Sequence, residues 1–199
     1  MSLEWMAIRG SGIIAYILLA GSTIWGLLIT TRVLGRAVKA KPVVWFHESL
    51  AIASLLATGL HMYLLYNDDY SDFAYRELFV PGASPWRPLA VAWGVTAFHM
   101  LLIVTVSFYV KKWISQDAWR TIHFASFGTF LAAALHGMFS GTDTGHPAVT
   151  GMYVGTLAVV AMLVVIRVAQ SAAPSPPARR KSAQRTVAEK PAREPETVG

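Results

Sequence analysis

The chain has 199 residues, 54% hydrophobic and 14% charged, with net charge +6, no cysteine and a mean hydropathy of +0.46. An average soluble domain carries about a quarter charged residues, which excludes a water-soluble globule, and an aromatic content of 12% excludes disorder over most of the length. Without cysteine there is no disulfide, thiolate metal site, iron–sulfur cluster or cysteine nucleophile, so any cofactor must be held by His, carboxylate, Met or backbone.

A helix crossing a bilayer needs roughly 20 mainly apolar residues. The 22 residues between Arg9 and Arg32 contain no Asp, Glu, Lys or Arg and predict a first span over 10–31. Glu4 and the lack of a basic leading segment make it a span and not a cleaved leader. A second span over 43–66 is interrupted only by the pair His47-Glu48 near its start. The segment 67–87 follows, with Asp68, Asp69, Asp72 and Glu77 set among Tyr70, Phe73, Tyr75 and Phe79, and is expected to fold over one end of the bundle. Spans over 88–110, 119–140 and 148–168 occupy the next charge-free intervals, bounded by Arg87, Lys111, Arg120, Asp143 and Arg167. From 171 onward Pro174, Pro176, Pro177, Pro191 and Pro195 are spread among Ala, Ser, Arg and Glu, which predicts a disordered tail. The expected architecture is all-α: an integral membrane bundle of five transmembrane helices over 1–170, then a tail over 171–199.

Five spans put the termini on opposite sides of the membrane. Fourteen of the 17 Lys and Arg residues fall on one side, including Arg32, Arg36, Lys39, Lys41, Lys111, Lys112, Arg120 and Arg167, and only Arg9, Arg76 and Arg87 fall on the other. The richer side is cytoplasmic by the positive-inside rule, so the N-terminus is expected outside and the C-terminus in the cytoplasm, in a cell membrane of the bacterial inner-membrane type. Topology and lipid contact account for a pI of about 9.8 without nucleic acid, for which no recognition motif is present.

Five of the six histidines lie within or at the ends of predicted spans, where ionisable groups are costly and usually have a partner or a function. His47 and His61 are 14 residues apart on the second span, and His123 and His136 are 13 apart on the fourth. Both spans run from cytoplasm to outside, so His47 and His123 share an inner depth and His61 and His136 an outer one, roughly 20 Å away at about 1.5 Å per residue. Two facing imidazoles at each of two depths is the requirement of two bis-His b-type haems. The alternative is a set of hydrogen-bonded packing histidines; zinc or non-haem iron fits less well because no carboxylate or Cys accompanies each pair. On an ideal helix 14 residues leave a rotation of about 40° and 13 leave about 140°, so a helix irregularity is expected between His123 and His136, with Gly128 positioned to host it. Gly59, Gly128 and Gly137 adjoin the proposed ligands in sequence and suit either a flat macrocycle or close helix packing. His99 reads as a packing residue and His146 as a solvated loop residue.

The segments "RGSGIIAYILL", "WRTIH" and "HGMFSGTDTG", together with the two His spacings, resemble the ferric reductase-like transmembrane domain over about residues 8 to 168. This is the haem-carrying core of ferric reductases, NADPH oxidases and the haem-binding subunit of the periplasmic methionine sulfoxide reductase system. The resemblance implies two stacked haems b, the inner held by His47 and His123 and the outer by His61 and His136. It also implies transmembrane electron transfer to an extracytoplasmic acceptor. Many family members continue into a flavin- and nicotinamide-binding domain, but the 32 residues after Arg167 carry no strand pattern and no Gly-rich phosphate loop. The expected donor is therefore a separate flavoprotein or membrane quinol, with a quinone or flavin at the cytoplasmic face. Two other readings stay open: a membrane subunit serving a periplasmic reductase, and a non-redox haem sensor or structural protein. Arg32, Arg36 and Arg120 read first as topology charges and second as contacts to haem propionates or a donor. Glu48 reads as a snorkelling interfacial carboxylate and Asp143 as a helix cap or a neighbour of the outer site; no residue is assigned a catalytic role.

Overall fold

The computed structural model describes residues 3–31 and 40–172. Seven helices occur among them: α1 (Leu3–Thr31), α2 (Ala40–Tyr66), α3 (Tyr75–Phe79), α4 (Pro88–Val110), α5 (Gln116–Phe124), α6 (Ser126–Ser140) and α7 (Pro147–Ala172). They form five segments long and apolar enough to cross a membrane, because α5 and α6 together make one span over Gln116–Ser140. The protein is an all-α, multi-pass membrane bundle, as its charge-free intervals predict. The third span matches its predicted bounds, α1 starts seven residues before its expected position, and α7 continues through Ser171 and Ala172 into what was expected to be tail. The rest of that tail, with Arg32, Arg36 and Lys39, lies outside the described residues.

The outward faces carry large apolar side chains such as Leu56, Ile103 and Val165, all exposed. In water such a surface would drive aggregation; in a bilayer it is the lipid face. Inside, α1 packs on α2, α6 and α7, and α4 packs on α6 and α2. The largest buried cluster joins Tyr16, Ala20 and Leu27 of α1 to Phe130 and Ala134 of α6 and to Tyr153, Val160 and Leu163 of α7. Lipid tails are as apolar as these side chains, so association depends on close packing and interhelical hydrogen bonds. Tyr16 and Thr156 hydroxyls bond at 2.6 Å, and Ser54 of α2 donates to the Ala15 carbonyl of α1 at 3.0 Å.

The 67–87 segment is ordered by its own polar groups. Asp68 is buried and accepts from Ser71 N–H at 2.9 Å, Glu77 accepts from Ala74 N–H at 3.1 Å, and Tyr70 meets Trp5 of α1 edge-on. On the charge argument this is the outer end. Arg87, left-handed at φ 42° just before the helix-opening Pro88, sends Nη1 to the Phe139 carbonyl at 2.5 Å and ties α4 to α6.

Arg9 of α1 forms an ion pair with Asp143 in the α6–α7 loop, so Asp143 pairs across the outer end and does not cap a helix with its side chain. The two side chains are 26% and 22% exposed, between a surface pair and a buried one. Asp143→Ala is therefore expected to lower stability by about 1–3 kcal/mol, read as a lower thermal midpoint in detergent. An unchanged midpoint at low salt would show that the pair is only a surface contact.

Candidate functional site: four histidines at two levels

Three of the four histidines sit in the same kind of seat. His61 Nδ1 donates to the Ile8 carbonyl at 3.0 Å and its ring lies over Gly12; His47 Nδ1 donates to the Ser22 carbonyl at 2.9 Å and its ring lies over Gly26. His136 Nδ1 donates to the Ala90 carbonyl at 2.9 Å and its ring lies over Gly94. In each case the glycine is four residues after the carbonyl. In an α-helix the N–H of residue i+4 bonds to the carbonyl of residue i, so that residue stands over the carbonyl and its Cβ would screen the second lone pair. Glycine leaves the lone pair open to an imidazole from the neighbouring helix.

The seats on α1 explain the spacing on α2. Ile8 and Ser22 are 14 residues apart, Gly12 and Gly26 are 14 apart, and His47 and His61 are 14 apart on the antiparallel partner. Serine hydroxyls reinforce both, Ser22 Oγ at 3.2 Å from His47 Nδ1 and Ser11 Oγ at 3.4 Å from His61 Nδ1. A carbonyl only accepts, so the ring proton of each seated histidine is on Nδ1 and Nε2 keeps its lone pair. Metal-binding histidines are commonly held by this N–H to carbonyl bond, which fixes both tautomer and ring orientation.

The predicted partners lie at matching levels. His47 and His123 rings are 6.1 Å apart between centroids at 73°, and His61 and His136 are close enough to interact electrostatically. His123 differs from the others: its ring stacks on Trp119 at 5.1 Å, and no carbonyl accepts from it among the described residues. The expected helix irregularity is present, but at Ala125 and not Gly128. Ala125 N–H bonds back to the Ile122 carbonyl at 3.0 Å, closing α5 with a tight turn, and α6 starts afresh at Ser126. On the far side of the break Thr129 donates to the Ala125 carbonyl from its N–H at 2.9 Å and from its hydroxyl at 3.1 Å.

The glycines singled out from sequence have other uses. Gly59 has open space around it, Gly128 receives the Met100 methyl and Gly137 receives the Tyr153 ring. The glycines that face histidines are Gly12, Gly26 and Gly94, on helices that carry none of the four. Their signal was the Gly12–Gly26 interval, which repeats that of His47–His61. His99 bonds the Val95 carbonyl of its own helix at 2.8 Å, a packing role, and His146 is exposed at the start of α7. Glu48 accepts from Tyr109 at 2.9 Å, and Arg120 stays with Asp117 on its own helix at 3.6 Å.

A cavity of about 1060 Å³ opens at the inner level, bounded by His47, His123, Glu48, Tyr109, Arg120 and Arg167. Ligand pockets span roughly 300–1,000 Å³, so its volume is that of a ligand site. Two buried polar atoms on its wall, Thr105 Oγ1 and Trp119 Nε1, have no partner among the described residues, a condition that is rare unless something else supplies the bond. Among the described residues no group of three or more His, Cys, Asp or Glu is placed to hold a metal ion. No protein-family model, curated protein or solved structure matches the chain.

Proposed function

We propose that this protein is a membrane electron carrier of the ferric reductase-like kind, with two b-type haems held by His47 and His123 at the inner level and by His61 and His136 at the outer. The observation that carries this reading is the repeated seat: three imidazoles held by Nδ1 over a glycine, each leaving Nε2 available. The inner pair also has a suitable separation. Two metal–imidazole bonds of roughly 2 Å each, plus the ring radius on both sides, come to about 6 Å between centroids, against 6.1 Å observed. A bare ion needs about four protein donors, whereas a porphyrin brings four nitrogens and asks only for two axial ones. Pairs of histidines without a larger cluster suit the second case.

When bound, the haems supply one-electron chemistry at two depths of the bilayer. The chain's own residues fix the imidazole tautomers and tie the helices together at the outer end. Arg120 and Arg167 line the inner cavity, where they suit haem carboxylates. The electron donor is proposed to be a flavoprotein or membrane quinol, and the acceptor an extracytoplasmic metal or partner reductase. Reduced-minus-oxidised spectra of the purified protein should show b-type bands with two haems per chain. Single His→Ala changes at the four positions should each cost the haem of one level, while His99→Ala should cost none. Absence of b-type bands would leave the structural reading of the histidines in its place.

A further inference from the structure

The inner level is built asymmetrically. His47 is held by the Ser22 carbonyl and hydroxyl and rests on Gly26, whereas among the described residues His123 has neither a carbonyl nor a glycine. The reason is in α4, the helix that seats His136: after Gly94 it contains no further glycine, and the part lining the inner cavity presents Leu101, Val104, Thr105 and Phe108. The helix bearing His123 is also weakly anchored. α5 has nine residues, none of them buried, and is separated from α6 by the break at Ala125. Losing the hydrogen bond that orients a ligating imidazole typically costs roughly 10–100-fold in metal affinity.

The same cavity offers something to an incoming ligand. Thr105 Oγ1 and Trp119 Nε1 are buried hydrogen-bond donors without partners among the described residues, on the wall that His123 shares. Donors and polarity around an open haem face decide whether a small molecule binds there.

We propose that, on the haem reading above, His123 is an exchangeable ligand: a small uncharged ligand of ferrous haem, of the carbon monoxide or nitric oxide class, replaces it at the inner level while His61 and His136 remain bound. The exchange is redox-neutral. The bond from His123 Nε2 to iron breaks, the bond from the incoming ligand forms, and the imidazole keeps its lone pair and its proton. The joint at Ala125 gives α5 the freedom to withdraw, and the free hydroxyl and indole N–H supply the polar surroundings.

The test uses the full-length, haem-loaded protein. Haem per chain is counted first, and the dithionite-reduced protein is then equilibrated with carbon monoxide. Two haems per chain with half of the haem shifted to a carbon monoxide spectrum is the expected result. His136→Ala should raise the shifted fraction to all the haem that remains, whether the outer haem is lost or merely opened. His123→Ala should leave the fraction at half or below. Two haems with no adduct, adducts at both in the unaltered protein, or a rise to all the haem in His123→Ala would each overturn the proposal while leaving the two-haem reading intact. A protein without haem overturns both.

Discussion

Gly94→Ala is expected to cost the protein its proposed outer haem while the inner one stays, lowering haem content from two per chain to about one. A Cβ at Gly94 would come within 2.5 Å of His136 Nδ1 and 2.7 Å of Cγ and Cε1, separations that real side chains do not tolerate. The ring cannot simply retreat, because Nδ1 is held to the Ala90 carbonyl at 2.9 Å, one turn along the same helix. Relief of the clash therefore breaks the hydrogen bond that orients the His136 ring. At Gly12 and Gly26 the nearest ring atoms lie 3.1 and 3.0 Å from the built Cβ, so shifts of tenths of an ångström suffice. Gly12→Ala and Gly26→Ala should keep both haems with displaced absorption bands. The sign is informative because alanine is preferred over glycine inside helices by about 1 kcal/mol. Gly59→Ala and Gly155→Ala, where nothing lies within 4 Å, should be neutral or stabilising. Two haems with an unaltered spectrum in Gly94→Ala would show that the seat does not matter to the ligand.

The spans were legible because charge is costly in a bilayer: Arg87 and Lys111 bound α4 directly, and Arg120, Asp143 and Arg167 fall within five residues of the ends of the last two spans. The levels of the histidines were legible for the same reason, since depth follows from counting. The break at Ala125 was legible only as a need. The 13-residue interval demanded an irregularity, but its position depends on which backbone groups Ile122, Ala125 and Thr129 pair with, and an unbroken uncharged stretch carries no mark of that. The seats were missed for a different reason. Glycines beside a histidine in sequence point in other directions from its ring, whereas close approach across helices is set by register between α1 and α2 or between α4 and α6. Once α1 is known to run against α2, the two 14-residue intervals are one feature seen from both sides.

That distinction separates the two uses of glycine in this bundle and leads to the second large effect. Gly137 directly follows His136, yet it serves the α6–α7 seam: a Cβ there would fall on the Tyr153 hydroxyl and within 2.5 Å of Cζ. Tyr153 is buried against Tyr16 at 4.5 Å, and Tyr16 in turn stacks over Phe130 at 6.0 Å, so the ring has no empty space into which to move. Overpacking of this kind costs about 1–3 kcal/mol. Gly137→Ala is therefore expected to lower the thermal midpoint in detergent, although helix preference alone would raise it. Tyr153→Phe removes the atom on which the new methyl group lands. Added to Gly137→Ala it should restore part of the lost stability, incompletely because Cζ remains close, while on its own it should change little. A Gly137→Ala protein that melts at or above the parent, or a pair of changes whose effects simply add, would mean that Tyr153 does not depend on the missing side chain and that α6 and α7 are held apart by other contacts.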